Sequence, residues 1–76
     1  MFKSLIKRKL RERFFVTPCT GLNFSGILLD EDDTHALFTD VSVYPDNNSP
    51  PQKAMGDVYI RHDNIAYIQL MHNANG

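Results

Sequence analysis

Residues 56–70 read G-D-V-Y-I-R-H-D-N-I-A-Y-I-Q-L, and this stretch decides the fold. Val58 and Ile60 alternate with more polar neighbours, and a second alternating run occupies residues 65–70. Alternation at period two is typical of strands, and the Asp-Asn pair between the two runs is typical of turns. The stretch therefore predicts a tight β-hairpin with Arg61 just before its turn.

The whole chain, residues 1–76, is expected to form one small domain that is marginally stable alone. Cys19 is the only cysteine, so an intrachain disulfide is excluded and a reducing, cytoplasmic setting is expected. The three histidines share no ligand spacing with Cys19, so we expect no metal and no other cofactor. No apolar run approaches the ~20 residues of a membrane span, and no signal peptide is evident. Oligomerisation is then the expected stabiliser.

The charge is distributed unevenly along the chain, although the net charge is only −1. Six of the eight Lys and Arg residues lie in the first thirteen positions, namely Lys3, Lys7, Arg8, Lys9, Arg11 and Arg13. From Phe14 onward only Lys53 and Arg61 are basic, against eight acidic residues. We call residues 1–13 the basic head. The pattern indicates either an anionic partner for this basic head or attraction between it and acidic surface elsewhere.

The remaining pattern predicts one helix and three further strands. Apolar residues at helical spacing predict a short amphipathic helix over about residues 3–11. Apolar, β-branched and aromatic runs predict strands over residues 14–17, 22–30 and 34–43. A surface loop is expected over about residues 44–55, which contain three prolines, and a disordered tail over residues 73–76.

Two details of these strands affect the shape of the sheet. Gly26 lies inside the second strand, where glycine usually marks a sharp bend or a close backbone approach. Strict alternation in the third strand predicts two faces: one carries Leu37, Thr39, Val41 and Val43, and the other carries Ala36, Phe38, Asp40 and Ser42. A small five-stranded sheet that bends sharply but stays partly open leaves two edges, which invite pairing with further copies and can close a ring.

The sequence carries no recognisable catalytic arrangement. A glycine-rich phosphate loop, an HExxH motif and a CxxC motif are all missing. The four acids of residues 30–33 form a turn, which lacks the further ligands and the glycine of a calcium loop. We therefore expect a protein that is not an enzyme.

Two motifs resemble those of the Sm and Sm-like (LSm) family. The run V-Y-I-R-H-D-N-I-A-Y-I, residues 58–68, resembles the second Sm motif, an apolar strand ending in Ile-Arg-Gly before a turn and a further apolar strand. Upstream, Gly21, Phe24, Gly26 and Leu28, followed by Asp32, resemble the first Sm motif. The order of helix, five strands and variable loop also matches, and the resemblance covers nearly the whole chain.

The resemblance implies a mainly β Sm-like fold, with an N-terminal helix followed by a strongly bent five-stranded antiparallel sheet. It implies a homo-oligomeric ring joined through the fourth and fifth predicted strands, which are the two alternating runs at residues 58–60 and 65–70. Single-stranded RNA is then bound near the pore. Arg61 then matches the arginine that packs against a base, and Asp63 matches the polar residue two positions later. Thr34 falls at the base-stacking position, and Ala36 falls where the base-reading asparagine usually stands.

The chain departs from the family pattern at two of these positions. His62 replaces the motif glycine, and Ala36 cannot hydrogen-bond a base edge. If the loop register slips by one, His35 reaches the stacking position and can serve as a platform. The expected RNA-binding residues are therefore Arg61, His62, Asp63, His35 and Thr34. A ring that acts as an assembly module without RNA, and a membrane-surface adaptor led by the basic helix, remain as alternatives.

Overall fold

A computed structural model describes residues 10–71, and these form six antiparallel strands and one turn of 3-10 helix. The strands are β1 (Arg13–Pro18), β2 (Asn23–Glu31), β3 (His35–Tyr44), β4 (Gln52–Lys53), β5 (Val58–Arg61) and β6 (Ile65–Leu70). The 3-10 turn, His62–Asn64, joins β5 directly to β6. The mainly β, antiparallel prediction is therefore confirmed, and β4 is a short additional strand inside the predicted loop.

The sheet wraps so that β5 and β6 lie at its two opposite edges. Strand β3 pairs with β2 on one side, and on the other side with β5 along its first half and with β4 near its end. Strand β2 continues to β1, and β1 continues to β6. The predicted hairpin between the two alternating runs is wrong, because β5 pairs with β3 and β6 pairs with β1. Alternation identified both strands, but their partners depend on the bend of the whole sheet.

The bend lies where Gly26 of β2 faces β3. The pairing of β2 with β3 is irregular between Ser25 and Ile27, and Asp40 on β3 has a positive φ of 52°. The carboxylate of Asp40 accepts hydrogen bonds from the side chains of Lys53 and Arg13, which lower its pKa. The sharp bend predicted from Gly26 is therefore present, and two ion pairs meet at Asp40 on its β3 side.

The irregular pairing at Gly26 is a β-bulge, in which Asp40 and Val41 of β3 lie opposite Gly26 alone. It shifts the alternation of β3, so the predicted faces hold only for the first half of that strand. Ala36 and Phe38 are buried as one face, but Val41 is buried in place of Asp40. The core consists of Phe14, Val16, Phe24, Leu28, Ala36, Phe38, Val41 and Ile60. The ring of Phe38 meets Phe24 and Phe14 edge to face, at centroid distances of 5.4 Å and 6.4 Å. A single aromatic cluster therefore holds both halves of the bent sheet together.

The predicted helix over residues 3–11 lies mostly outside the described residues, as does the predicted tail over residues 73–76. Leu10 and Arg11, which the prediction included, form a turn. Arg11 has a φ of 72°, a left-handed value that an α-helix does not use, so the helical prediction is wrong at this end. Within residues 10–71, no helix is long and apolar enough to cross a membrane.

Candidate functional site

Arg61 ends β5 and holds its guanidinium against the turn that follows. Its Nε and Nη2 atoms donate to the two carboxylate oxygens of Asp63, at 3.0 Å and 2.9 Å. This fork-shaped pairing lowers the pKa of Asp63 and raises that of Arg61. Both side chains are well exposed, so the planar guanidinium stays accessible although its hydrogen-bonding edge is occupied.

Asp32 organises the loop between β2 and β3. One carboxylate oxygen accepts hydrogen bonds from the backbone N–H groups of Thr34 (2.9 Å) and His35 (2.8 Å). The other oxygen accepts a hydrogen bond from the hydroxyl of Tyr59 at 3.2 Å. The two backbone donors are the main reason why the pKa of Asp32 falls from 3.8 to about 2. Asp32, the acid that matches the first Sm motif, therefore fixes the shape of this loop through its hydrogen bonds.

Strand pairing brings this loop and the 3-10 turn to the same place. His35 opens β3 directly opposite Arg61 of β5, and the backbone N–H of His62 donates to the carbonyl of Thr34 at 2.8 Å. The five residues expected to bind RNA, Thr34, His35, Arg61, His62 and Asp63, are therefore neighbours. Sheet topology, and not their spacing in sequence, produces this cluster.

The side chain of His62 points into the protein. Its Nε2 lies 3.1 Å from the Glu31 carboxylate, and the two side chains are only 16% and 1% exposed. The histidine that replaces the motif glycine therefore ties the turn to the end of β2. It offers little ring surface for stacking on a base.

His35 presents an aromatic surface that is shared with a residue the sequence analysis missed. The rings of His35 and Tyr59 are stacked, with centroids 4.4 Å apart and planes inclined by 14°. The Thr34 hydroxyl lies 2.8 Å from Nδ1 of His35 and fixes the ring further. Tyr59 could have been found from its outward position two residues before Arg61 on the same strand. Ala36 is fully buried, so it has no access to a base.

The loop between β1 and β2 supports the turn from the other side. The backbone N–H of Cys19 donates to the carbonyl of Asn64 at 2.6 Å. The amide group of Asn64 also accepts from the Thr20 N–H (3.1 Å) and donates to the Thr20 carbonyl (3.3 Å). These contacts, which the sequence analysis did not identify, fix the direction in which Arg61 and Asp63 emerge.

The electrostatic surroundings of the site are acidic. Residues 10–71 contain four Lys and Arg residues but nine Asp and Glu residues. Among these residues, no group of three or more His, Cys, Asp or Glu side chains is placed to hold a metal ion. The site as described offers aromatic and guanidinium planes in place of a continuous basic surface.

The hydrogen bonds to Asp32 predict a specific dependence of stability on pH. Because the folded pKa of about 2 lies below the ordinary 3.8, the ionised form stabilises the fold above pH 3.8, and this contribution disappears as the pH falls toward 2. We expect Asp32→Asn to show a smaller loss of thermal stability between these two pH values than the wild type. Circular dichroism melts across that range test this, with Asp57→Asn as a control in another loop. An equal loss of thermal stability in Asp32→Asn and in the wild type would contradict this prediction.

Comparison with known proteins gives matches among solved structures alone. No protein-family model matches the chain, and no curated protein matches it. A heptameric archaeal Sm protein superposes with a TM-score of 0.75 at 17% identity, covering 91% of this chain and 98% of that one. The P. aerophilum SmAP1 heptamer gives 0.76 at 17% identity, covering 92% of each chain. The Pyrococcus abyssii Sm protein, solved with a uridine heptamer, gives 0.73 at 25% identity, covering 90% and 94%. The resemblance carried by the two motifs is thereby confirmed at the level of the fold.

Proposed function

We propose that this chain, which has the fold of the Sm and Sm-like proteins, forms a homo-oligomeric ring and binds single-stranded RNA near the ring pore. One observation carries the proposal: the sheet places His35 directly opposite Arg61, so two loops present stacking groups together. On this proposal the protein is a binding protein and not an enzyme. The lone cysteine supports a reducing, cytoplasmic setting.

The two edge strands support the ring. Within residues 10–71, β5 pairs only with β3 and β6 pairs only with β1, so each has one edge open to another copy. The edges lie at opposite sides of the sheet, which suits head-to-tail contact between successive copies. Two of the structural neighbours are heptamers.

The open edge of β6 can be tested with one substitution. The N–H of Met71 donates to the carbonyl of Arg13, and alternation along the strand therefore directs the N–H of Ile68 away from β1. We expect Ile68→Pro to shift the protein toward smaller species in multi-angle light scattering, because each interface loses a backbone hydrogen bond. Ile68→Ala, which keeps the N–H, is the matched control. A wild-type monomer at micromolar concentration would contradict the ring.

The RNA part of the proposal is supported by chemistry and by one neighbour. The Pyrococcus abyssii Sm protein was solved with a uridine heptamer. In this chain the exposed guanidinium of Arg61 and the ring of His35 can each stack on a base. Selectivity among bases is expected to be modest, because Ala36 is buried and has no polar group. The basic head would supply contacts to phosphates, which makes the affinity sensitive to salt.

The experiment is fluorescence anisotropy with labelled oligo-U, oligo-A and duplex RNA at low and moderate salt. We expect the single strands to bind more tightly than the duplex, and both affinities to fall as salt rises. Absence of binding to every single strand at low salt would contradict the RNA proposal.

A second candidate is a ring that acts as an assembly module without RNA. It is favoured by the acidic surroundings of the site and by the pairing of Arg61 with Asp63, which occupies the edge that would contact a phosphate. A stable oligomer in light scattering combined with no RNA binding at low salt would favour this candidate.

A further inference from the structure

A cleft on the outer face of the sheet lies beside the proposed RNA site. Its floor is a row of residues that face one another across three strands: Asp30 of β2 opposes Leu37 of β3, and Leu37 opposes Tyr59 of β5. The cleft has a volume of about 330 Å³ and is lined by Asp30, Glu31, Asp32, His35, Leu37 and Tyr59. It is large enough to admit a long side chain.

The lining combines an aromatic surface with negative charge. Tyr59 is 61% exposed and stacks on His35, which gives an open aromatic surface next to the apolar Leu37. Its hydroxyl is held by Asp32, which raises the pKa of Tyr59, and the charge of Asp30 acts in the same direction. An aromatic face bordered by carboxylates fits a lysine or arginine side chain, through cation–π attraction and ion pairing.

The part of this chain that meets these requirements is the start of its basic head, residues 1–9. Residues 1–9 carry Lys3, Lys7, Arg8 and Lys9, half of all Lys and Arg residues in the sequence. The chain enters the described structure next to the cleft: Arg11 N–H donates to the Leu28 carbonyl at 2.7 Å, and Leu28 lies only two residues before Asp30. An extended chain covers up to ~3.3–3.6 Å per residue, so residues 1–9 are long enough to reach past Asp30.

We propose that the basic head of each chain docks in the cleft formed by Asp30, Leu37, Tyr59 and their neighbours on the same chain. The contact lies on the protein surface, so it is weak and is screened by salt. It partly neutralises the acidic face beside His35. The proposal does not depend on RNA binding, because the cleft and the head both belong to the protein alone.

The test uses a fluorescent reporter in the cleft. The sequence contains no tryptophan, so Tyr59→Trp gives a single reporter and keeps the aromatic surface. In the head, Lys3→Gln, Lys7→Gln, Arg8→Gln and Lys9→Gln remove the charge. We expect this neutralised head to raise the acrylamide quenching constant of the reporter at least about twofold at low salt, because it uncovers the aromatic face. Acrylamide is uncharged, so the altered net charge does not bias its approach.

The matched control is Tyr67→Trp on β6, since Tyr67 is 60% exposed, as Tyr59 is 61%. Its quenching is expected to be the same with and without the head charges. High salt should give Tyr59→Trp the same increase as the neutralised head. Equal quenching of Tyr59→Trp with and without the head charges at low salt would overturn the proposal.

A mixing experiment separates the same chain from a neighbouring one. Chains that carry both Tyr59→Trp and the neutralised head are refolded with an excess of wild-type chains, which lack tryptophan. We expect the reporter to stay exposed, because its own head has lost the charges. Recovery of the protection would show that a neighbour's head occupies the cleft, and it would overturn docking within one chain.

Discussion

Gly26→Val is expected to lower the free energy of unfolding by about 3 kcal/mol, near the upper end for overpacked cores. A Cβ at this position would lie 3.0 Å from Cγ2 of Val41, 3.2 Å from Cβ of Phe38 and 3.2 Å from the carbonyl oxygen of Thr39. Two of these three atoms belong to positions that a rotamer change cannot move. The bend of β2 over β3 must therefore open if a side chain is placed there.

Urea unfolding followed by circular dichroism measures this loss, at one fixed protein concentration because assembly makes stability depend on concentration. Asn23→Val is the control, since Asn23 is an exposed position on the same strand. Gly26→Ala should show a smaller loss in the same direction. Wild-type stability for Gly26→Val would mean that the sheet tolerates a side chain at its bend.

The bend at Gly26 shows that some features of the fold can be predicted from the local sequence pattern. A glycine inside a strand has few physical explanations, and the predicted bend is present at that residue. The alternation of residues 58–60 and 65–70 likewise located β5 and β6. What failed was their pairing, because the partner of a strand is chosen by contacts that are distant in sequence.

The side chains of β3 that face the core could not all be predicted, for a related reason. Strict alternation places Asp40 and Phe38 on one face, but the bulge at Asp40 turns Val41 inward. Arg13 and Lys53, which come from other strands, pair with the Asp40 carboxylate at the bulge. A single-sequence pattern contains no signal for such a contact.

The candidate site divides in the same way. The motif resemblance selected Thr34, His35 and Arg61, and the structure places them together. Tyr59 and Asn64 were missed, since Tyr59 contributes only after stacking on His35 and Asn64 only through the β1–β2 loop. The inward orientation of His62 was also hidden, because it depends on the buried Glu31 carboxylate.

Arg61→Ala is expected to weaken binding of every single-stranded RNA at least about fivefold, because stacking is worth ~1–3 kcal/mol per base and 1.4 kcal/mol corresponds to a factor of ten. The substitution removes a planar cation and also leaves the exposed carboxylate of Asp63 without its partner. Loss of the planar cation removes a stacking contact with the RNA, and the unpaired Asp63 carboxylate repels the phosphates. If the protein is a ring, the loss is repeated in every subunit, and the total effect on a long oligonucleotide is larger.

The two contributions can be separated with further variants. Arg61→Ala combined with Asp63→Asn removes the unpaired charge, so any recovery of affinity measures the repulsion by Asp63. Arg61→Lys keeps the positive charge but loses the flat guanidinium, and we expect it to bind more weakly than the wild type. This result would assign part of the affinity to stacking, because an ammonium group cannot stack on a base.

Lys53→Ala is the charge-matched control, since it also removes one positive charge. Lys53 lies on β4 and pairs with Asp40 at the bend, away from the loops that carry His35 and Arg61. We expect Lys53→Ala to retain most of the affinity for oligo-U in fluorescence anisotropy, with light scattering showing that both variants assemble as the wild type does. Equal loss of binding in Arg61→Ala and Lys53→Ala would mean that net charge, and not the Arg61 site, holds the RNA.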